Sequence, residues 1–324
     1  MIEITVEGSK RKIISHQDLN FIDAGGQGAI YRYRDLVLKF HEDKTIVQKS
    51  RMIKNLALKY IKKRSDVSMP KSLEERSFII GSGTAKGSDI ERTEDSILHI
   101  SIFRWLEGTP LAYRDRSLNF TQRKNIVYHI LKGLLFFESI GIVHSDLFPK
   151  NFLLKNGIPH FIDIEGAGIL NRTRTEWDYA PSVLGTPTPG FGTPPEIEND
   201  ITNQYTDRWC GLNLIFMILL GFSPFFFLSR SDPESIEKLY LIGQKNMKET
   251  KNRGIPLVWP PIGAENHPYI VKDCINNLDK SRTYLFDNHI NKTLVRLCYK
   301  TFITGFKEPT SRESFNRMFR LLGL

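Results

Sequence analysis

The 324-residue chain reads as an α+β protein of two lobes, the first an antiparallel sheet with one helix and the second mainly helical. Three observations lead there. Short β-leaning runs punctuated by glycine fill most of the first hundred positions, apolar residues recur at helical spacing from residue 121, and the chain after Asp207 keeps a mainly helical character. The length suits two structural units, since one domain commonly holds roughly 100–200 residues. The expected lobes are residues 1–106 and 107–324.

Composition narrows the class. Glycine added to the 40% hydrophobic residues gives 47% apolar, and 25% are charged, which excludes wholesale disorder, collagen-like repeats and a coiled coil. Cys210, Cys274 and Cys298 are too few and too dispersed for a disulfide framework or a four-ligand zinc site, and they fit a reducing, cytoplasmic setting. The opening MIEITVEGSKRK lacks the apolar core of a signal peptide, so no export is expected and the sequons at Asn119, Asn171 and Asn291 carry no weight. The longest apolar stretch, residues 212–228, is 17 residues interrupted by Asn213, Ser223 and Pro224, whereas spanning a bilayer takes about 20. It reads as a buried helix followed by a turn, with no membrane span.

Element by element, Ala29 to Tyr33 and Leu36 to Phe40 form a hairpin preceded by Gly25, Gly26 and Gly28. Residues 45–63 form an amphipathic helix, with Ile46, Ile53, Ala57 and Tyr60 or Ile61 opposite a basic face. Of the net charge of +9, eight positive charges lie in residues 44–64 without one acid: Lys44, Lys49, Arg51, Lys54, Lys59, Lys62, Lys63 and Arg64. Such a run suits a solvated helix face or the docking of an acidic partner. Without interleaved aromatics, nucleic acid is not expected. Strands follow at residues 77–80 and 97–105, separated by the loop-like GSGTAKGSD. Ile126, Ile130, Leu134 and Phe137 mark a helix over 121–139 that stops at Gly141. Two short strands, 152–154 and 160–163, flank a turn at Lys155-Asn156-Gly157, and residues 186–195 are a long loop rich in Gly, Pro and Thr.

The chemistry lies in four places. Glycines before a strand let backbone amides approach phosphates closely, although they also simply build hairpins. Lys39, eleven residues beyond Gly28 in an apolar strand, offers an ammonium to such phosphates or else only snorkels from a sheet edge. The spacing His144-x-Asp146-x-x-x-x-Asn151, followed by Asp163, supplies a carboxylate to accept a proton from an attacking hydroxyl and oxygen ligands for a divalent ion. In isolation each of these polar residues is an ordinary turn or strand-end residue. Jointly, at this spacing, they describe phosphoryl transfer.

In this order the motifs resemble those of the protein kinase superfamily, with HSDLFPKN in the place of H-R-D-L-x-x-x-N and Asp163 in the place of the D-F-G aspartate. Pro194-Pro195-Glu196 stands where the family has A-P-E. Asp207, Trp209, Gly221, Pro224 and Phe225 keep the register of its D-x-W helix and closing turn, and Arg312 resembles the late arginine that pairs with the A-P-E glutamate. The resemblance, over roughly residues 20–320, implies a bilobal protein-kinase-like fold with ATP between the lobes. It implies ATP contacts at Gly25, Gly26, Gly28, Ile30 and Lys39, catalysis by Asp146 with Lys39, and Mg2+, or Mn2+ as an alternative, on Asn151 and Asp163. Glu196, Asp207 and Arg312 are the implied structural residues. The implied reaction is phosphorylation of a protein Ser/Thr hydroxyl, since the A-A-R-N ending of tyrosine kinases is absent.

The departures are as specific. Asp23 replaces the first glycine, Ser145 the arginine before the catalytic aspartate, Phe148 the following lysine, and Ile164-Glu165 the Phe-Gly pair. The helix after Lys39 holds no glutamate for that lysine, only the neutral Gln48 and Asn55, which favours a pseudokinase scaffold as an alternative. FIDIEGAG also resembles the I-D-F-E segment of aminoglycoside and choline phosphotransferases, a small-molecule alternative. Kinase domains of bacterial lanthipeptide synthetases similarly combine I-D-x-E with a loop like residues 188–196. If Glu196 and Arg312 form the implied buried pair, removing one partner costs about 3–5 kcal/mol. Arg312→Ala should therefore melt far below wild type in a thermal scan, and a change of under a degree would show that the pair is exposed or absent.

Overall fold

The computed structural model describes residues 2–25, 28–64, 67–73, 77–86, 96–112, 115, 117–170, 177–178, 206–221, 224–225, 227–228, 233–254, 257–268, 295–296, 299, 316 and 320. The β-leaning runs of the first hundred residues become seven strands: β1 (Ile2–Val6), β2 (Lys12–Ile14), β3 (Asn20–Gly25), β4 (Gly28–Tyr33), β5 (Leu36–His41), β6 (Gly81–Lys86) and β7 (Ile97–Arg104). They make one antiparallel sheet in the order β2-β1-β6-β7-β5-β4-β3. Period-two alternation decides its faces. Leu36, Leu38 and Phe40 of β5 join Ile2, Ile4 and Ile100 in the main core of this sheet. Val37, on the opposite face, packs with Phe103, Ile79 and Val47.

The strand expected at 77–80 begins instead at Gly81, and GSGTAK, expected as loop, is β6 between β1 and β7. Close approach explains the glycines. A Cβ on Gly81 would lie 2.3 Å from the Thr5 carbonyl oxygen, and one on Gly83 2.2 Å from that of Glu3, so β1 pairs here only with bare backbone. What reads as turn composition is the cost of bringing two chains together.

Helix α1 (Lys44–Lys63) starts where the Asp43 carboxylate accepts the Thr45 N–H at 2.7 Å, an N-cap. Ile46, Ile53 and Ala57 are buried as expected. The basic residues are not confined to the opposite face: Lys49 and Lys54 are also buried, and Lys54 donates to Glu7 at 2.6 Å. The remaining six basic residues are exposed. Next come β8 (Thr109–Pro110), α2 (Phe120–Ile140), β9 (Ile142–Val143), β10 (Phe152–Lys155), β11 (Ile158–Phe161), β12 (Gly168–Leu170) and β13 (Trp177–Asp178). Gly141 at φ +76° ends α2, and Asn156 and Gly157, both at positive φ, turn β10 into β11.

Contacts divide the chain into two units. The first contains Met1–Leu111, Lys132–His144 and Lys150–Gly185, and the second Ala112–Leu131, Ser145–Pro149 and Thr186–Leu324. In the second, α3 (Thr206–Leu220) is mainly apolar and buried from Trp209 to Leu219, as suits a helix at the centre of a core. Gly221 at φ +78° closes it, matching the helix-then-turn expected at 212–228. Helix α4 (Pro233–Arg253) sends Asn246 to the backbone of residue 262, donating to the carbonyl at 2.8 Å and accepting the N–H at 3.0 Å. Trp259 donates to the Pro224 carbonyl at 2.9 Å. Among the described residues no helix is long and apolar enough to cross a membrane. The loop at 186–195 lies outside them.

Helix α2 meets β11 at Gly133, where a Cβ would lie 2.4 Å from the Phe161 ring and 3.0 Å from the Ser72 hydroxyl. Overpacking of this kind costs about 1–3 kcal/mol. Gly133→Ala is therefore expected to lower the unfolding free energy measured in urea by that amount, despite alanine's better helix propensity; an unfolding free energy at or above wild type would show that Phe161 gives way freely.

Candidate active site

Strand alternation puts Val37, Lys39 and His41 on the β5 face opposite the main core. The register sets Lys39 between Ile30 of β4 and Ser101 of β7, and its ammonium is 5.4 Å from the Phe103 ring. At the near end of the β3–β4 hairpin Gly25 pairs with Gly28. Gly28 has φ +133°, and a Cβ there would lie 1.7 Å from the Phe40 carbonyl oxygen, so only glycine fits. Gly26 lies outside the described residues.

The β10–β11 hairpin sets the acids. Asn151 ends a 3-10 turn before β10, is buried, and its carbonyl accepts the Ile162 N–H at 2.9 Å, so Asn151 and Asp163 flank the paired Phe152 and Phe161. Asp163 adopts a left-handed conformation, φ +62° and ψ +46°, and opens the 3-10 turn Ile164–Gly166. Lys39 Nζ donates to the Asp163 carboxylate at 2.9 Å and to Glu165 at 2.6 Å. Glu165 has no exposed side-chain surface, and its other oxygen is 3.1 Å from His41 Nε2, which is also 3.2 Å from the Ser101 hydroxyl.

Electrostatics follow from that packing. Burial alone would discharge Lys39, but Asp163 and Glu165 outweigh it and hold the ammonium well above the ordinary lysine range. Burial likewise opposes the Glu165 carboxylate, and Lys39 and His41 reverse the balance and hold it well below the usual range. Lys49 is the opposite case. It makes no hydrogen bond or ion pair among the described residues, and burial pulls it down to about 8, the Glu165 and Asp43 carboxylates offsetting only part of the cost.

Asp146 belongs to the second unit, where Ser145, at φ +64°, donates its N–H to Asp207 at 2.9 Å. Asp207 is itself buried. His144, in the first unit, is fully buried among Phe137, Phe152 and Phe161. Glu196 and Arg312 lie outside the described residues. Of the neutral helix candidates for holding Lys39, Gln48 and Asn55 are both exposed. The residues that the sequence reading did not assign are Glu165 and His41. Their signal is local: an acid two residues after Asp163 and an imidazole two residues after Lys39, on the same strand face.

A lysine held near 8 in the fold and near 10.5 in the unfolded chain binds fewer protons when folded between those values, so its penalty is complete at pH 7 and fades as pH rises from about 8 to 10.5. The penalty is about 3 kcal/mol at most, at 1.36 kcal/mol for each unit. Lys49→Met should therefore be more stable than wild type at pH 7, the gap in chemical-denaturation free energy closing toward pH 10.5. A gap independent of pH would show that Lys49 is solvated.

No family model matches the chain. It is 29% identical over 159 residues to myosin light chain kinase 2 of skeletal and cardiac muscle from Rattus norvegicus, covering 47% of this chain and 24% of that protein. A Dictyostelium discoideum protein named as a probable myosin light chain kinase is 34% identical over 143 residues, 41% of this chain and 42% of its own. The matches thus span less than half the length of these curated relatives. Among solved structures, a Caenorhabditis elegans twitchin kinase fragment, described as an autoregulated protein kinase with immunoglobulin domains, aligns at TM-score 0.55 and 17% identity over 94% of this chain and 57% of that one. That likeness is one of fold. The antiparallel sheet with its glycine hairpin and strand lysine, and the alignment with the twitchin kinase fragment, give the chain a protein-kinase-like α+β fold, and the relatives it is similar to in sequence are named as kinases.

Proposed function

We propose that the chain is a protein kinase that moves the γ-phosphoryl group of ATP to a Ser/Thr hydroxyl of a protein substrate. The observation that carries this reading is Lys39, half-buried and held between Asp163 and Glu165 beside the glycine hairpin. In this reading residues 1–106 and 107–324 are the two lobes of one catalytic domain. The backbone at Gly25, Gly26 and Gly28 and the side chain of Ile30 line the ATP site, and Lys39 neutralises α/β-phosphate oxygens.

Asp146 orients the acceptor hydroxyl and takes its proton onto a carboxylate oxygen as the hydroxyl oxygen forms its bond to the γ-phosphorus and the bond to the ADP oxygen breaks. Asn151 and Asp163 suit Mg2+, or Mn2+, because both offer hard oxygen donors from the two ends of one hairpin. When bound, that ion supplies charge stabilisation to the transferring phosphoryl group. Glu196 paired with Arg312, and Asp207 on the Ser145 amide, keep the catalytic segment in place. The six exposed basic residues of segment 44–64 suit an acidic partner, and the working compartment is the cytoplasm.

Removing a general base typically costs about 10²–10⁴-fold. Asp146→Asn is therefore expected to lose that much kcat with labelled Mg-ATP and a generic protein acceptor while keeping its ATP affinity, whereas Asp163→Ala loses Mg-dependent ATP binding as well. Equal loss of affinity in both variants would contradict these roles. Tight ATP binding by wild type without transfer to any acceptor would identify a nucleotide-binding pseudokinase scaffold, and transfer to aminoglycosides or choline alone a small-molecule kinase.

A further inference from the structure

The anchoring of Lys39 is unusual in where its partners come from. Helix α1, from Lys44 to Lys63, carries no acid, and its two inward-facing ionisable residues, Lys49 and Lys54, are cations. The acid comes from the other side of the site. Glu165 sits in the 3-10 turn Ile164–Gly166, against which α1 packs, and its side chain has no exposed surface. One carboxylate oxygen accepts from Lys39 Nζ at 2.6 Å, and the other is 3.1 Å from His41 Nε2. Lys39 and His41 are two residues apart on one strand, so a single carboxylate is gripped at both oxygens by one face of β5. Ser101, opposite Lys39 in register, fixes the same imidazole at 3.2 Å.

We propose that Glu165 is the positioning residue for Lys39, with His41 holding Glu165 in turn, so that the nucleotide lysine is set by β5 and the turn after Asp163 and not by helix α1. The inference rests on the kinase reading and deepens it. Its physical content is a change of lever. A lysine positioned by a helix acid loses its partner when the helix shifts, whereas here the acid is tied through Asp163 and Ile162 to the β10–β11 hairpin, and α1 presents Lys49 to that acid. The position of α1 then has no acid with which to switch the site. Glu165 touches neither acceptor nor hydroxyl in this scheme, so its removal weakens nucleotide binding through Lys39 alone.

The test is a double-mutant cycle on the full chain with Lys39→Met, Glu165→Gln and the double variant, read by calorimetric titration with Mg-ATP and by thermal melting. Glu165→Gln should raise the Mg-ATP Kd at least tenfold in the wild-type background and change it less than twofold in the Lys39→Met background. Glu165→Asp should restore part of the affinity, KM for ATP should rise with KM for the protein acceptor unchanged, and Gln48→Ala with Asn55→Ala on α1 should leave ATP binding as it is. A purely structural glutamate would weaken both backgrounds equally, and that additive result overturns the proposal, as does loss of ATP binding in the α1 variant. If Glu165→Gln does not fold, His41→Gln takes its place in the cycle with the same expected non-additivity and the same overturning result. If wild type binds no Mg-ATP, the kinase reading fails by itself. The melting temperatures of the same four proteins then decide the pair: coupled shifts uphold the anchoring of Lys39 by Glu165, and independent shifts overturn it.

Discussion

The contact on which the rest of the site depends is the triangle of Lys39 with the buried Glu165 and His41, joined by the half-buried Asp163. A charge taken out of water is costly, and a buried pair repays that cost only when nearly every lone pair and proton finds a partner. Here both oxygens of Glu165 are engaged, and the ammonium of Lys39 has two carboxylates. The triangle also joins elements distant in sequence. Lys39 and Glu165 are 126 positions apart, so the sheet and the β10–β11 hairpin must both be formed before either charge is compensated. That is a strong condition on cooperative folding of the first unit.

At two positions, one in each unit, the backbone accepts conformations that the local sequence alone would avoid. Asp163 and Ser145 both have positive φ, which costs a residue with a side chain of order 1 kcal/mol or more. Each is held by what surrounds it. Asp163 has its carboxylate on Lys39, and Ser145 has its amide on the buried Asp207. The left-handed residue Asp163 opens the 3-10 turn in which Glu165, two residues later, meets Lys39 and His41 of β5. Strain at one residue thus orients the acid that compensates Lys39.

Helix α1 shows the same economy with the sign reversed. Its buried lysines would be a liability facing hydrocarbon, yet Lys54 finds Glu7 of the segment after β1 and Lys49 faces the field of Glu165. A stripe of basic residues in a helical sequence therefore divides unevenly: Lys54 turns inward onto an acid, Lys49 turns inward at a cost that carboxylates only partly offset, and the remainder stay in water. Glycine behaves comparably. In β6 and at Gly28 it serves proximity, letting two backbones meet where a Cβ would collide with a carbonyl.

The sequence by itself determined what local chemistry can determine. The β-leaning run of residues 36–40 and helical spacing in 121–139 specify β5 and α2, and Asn156-Gly157 specifies the β10–β11 turn, because these signals act within a few residues. The ordered series of Gly28, Lys39, Asp146, Asn151 and Asp163 made the kinase resemblance legible for the same reason: each motif is short and self-contained. Strand β6 was not legible, since its glycines signal a loop until β1 is laid beside them. Nor was the inward turn of Lys49 and Lys54, which depends on where Glu165 and Glu7 come to rest. The partner of Lys39 was the largest omission. Glu165 is separated from it by 126 positions, and no periodicity reaches across that distance; only the fold, by closing the sheet and the hairpin on one buried volume, chose which carboxylate would meet the ammonium.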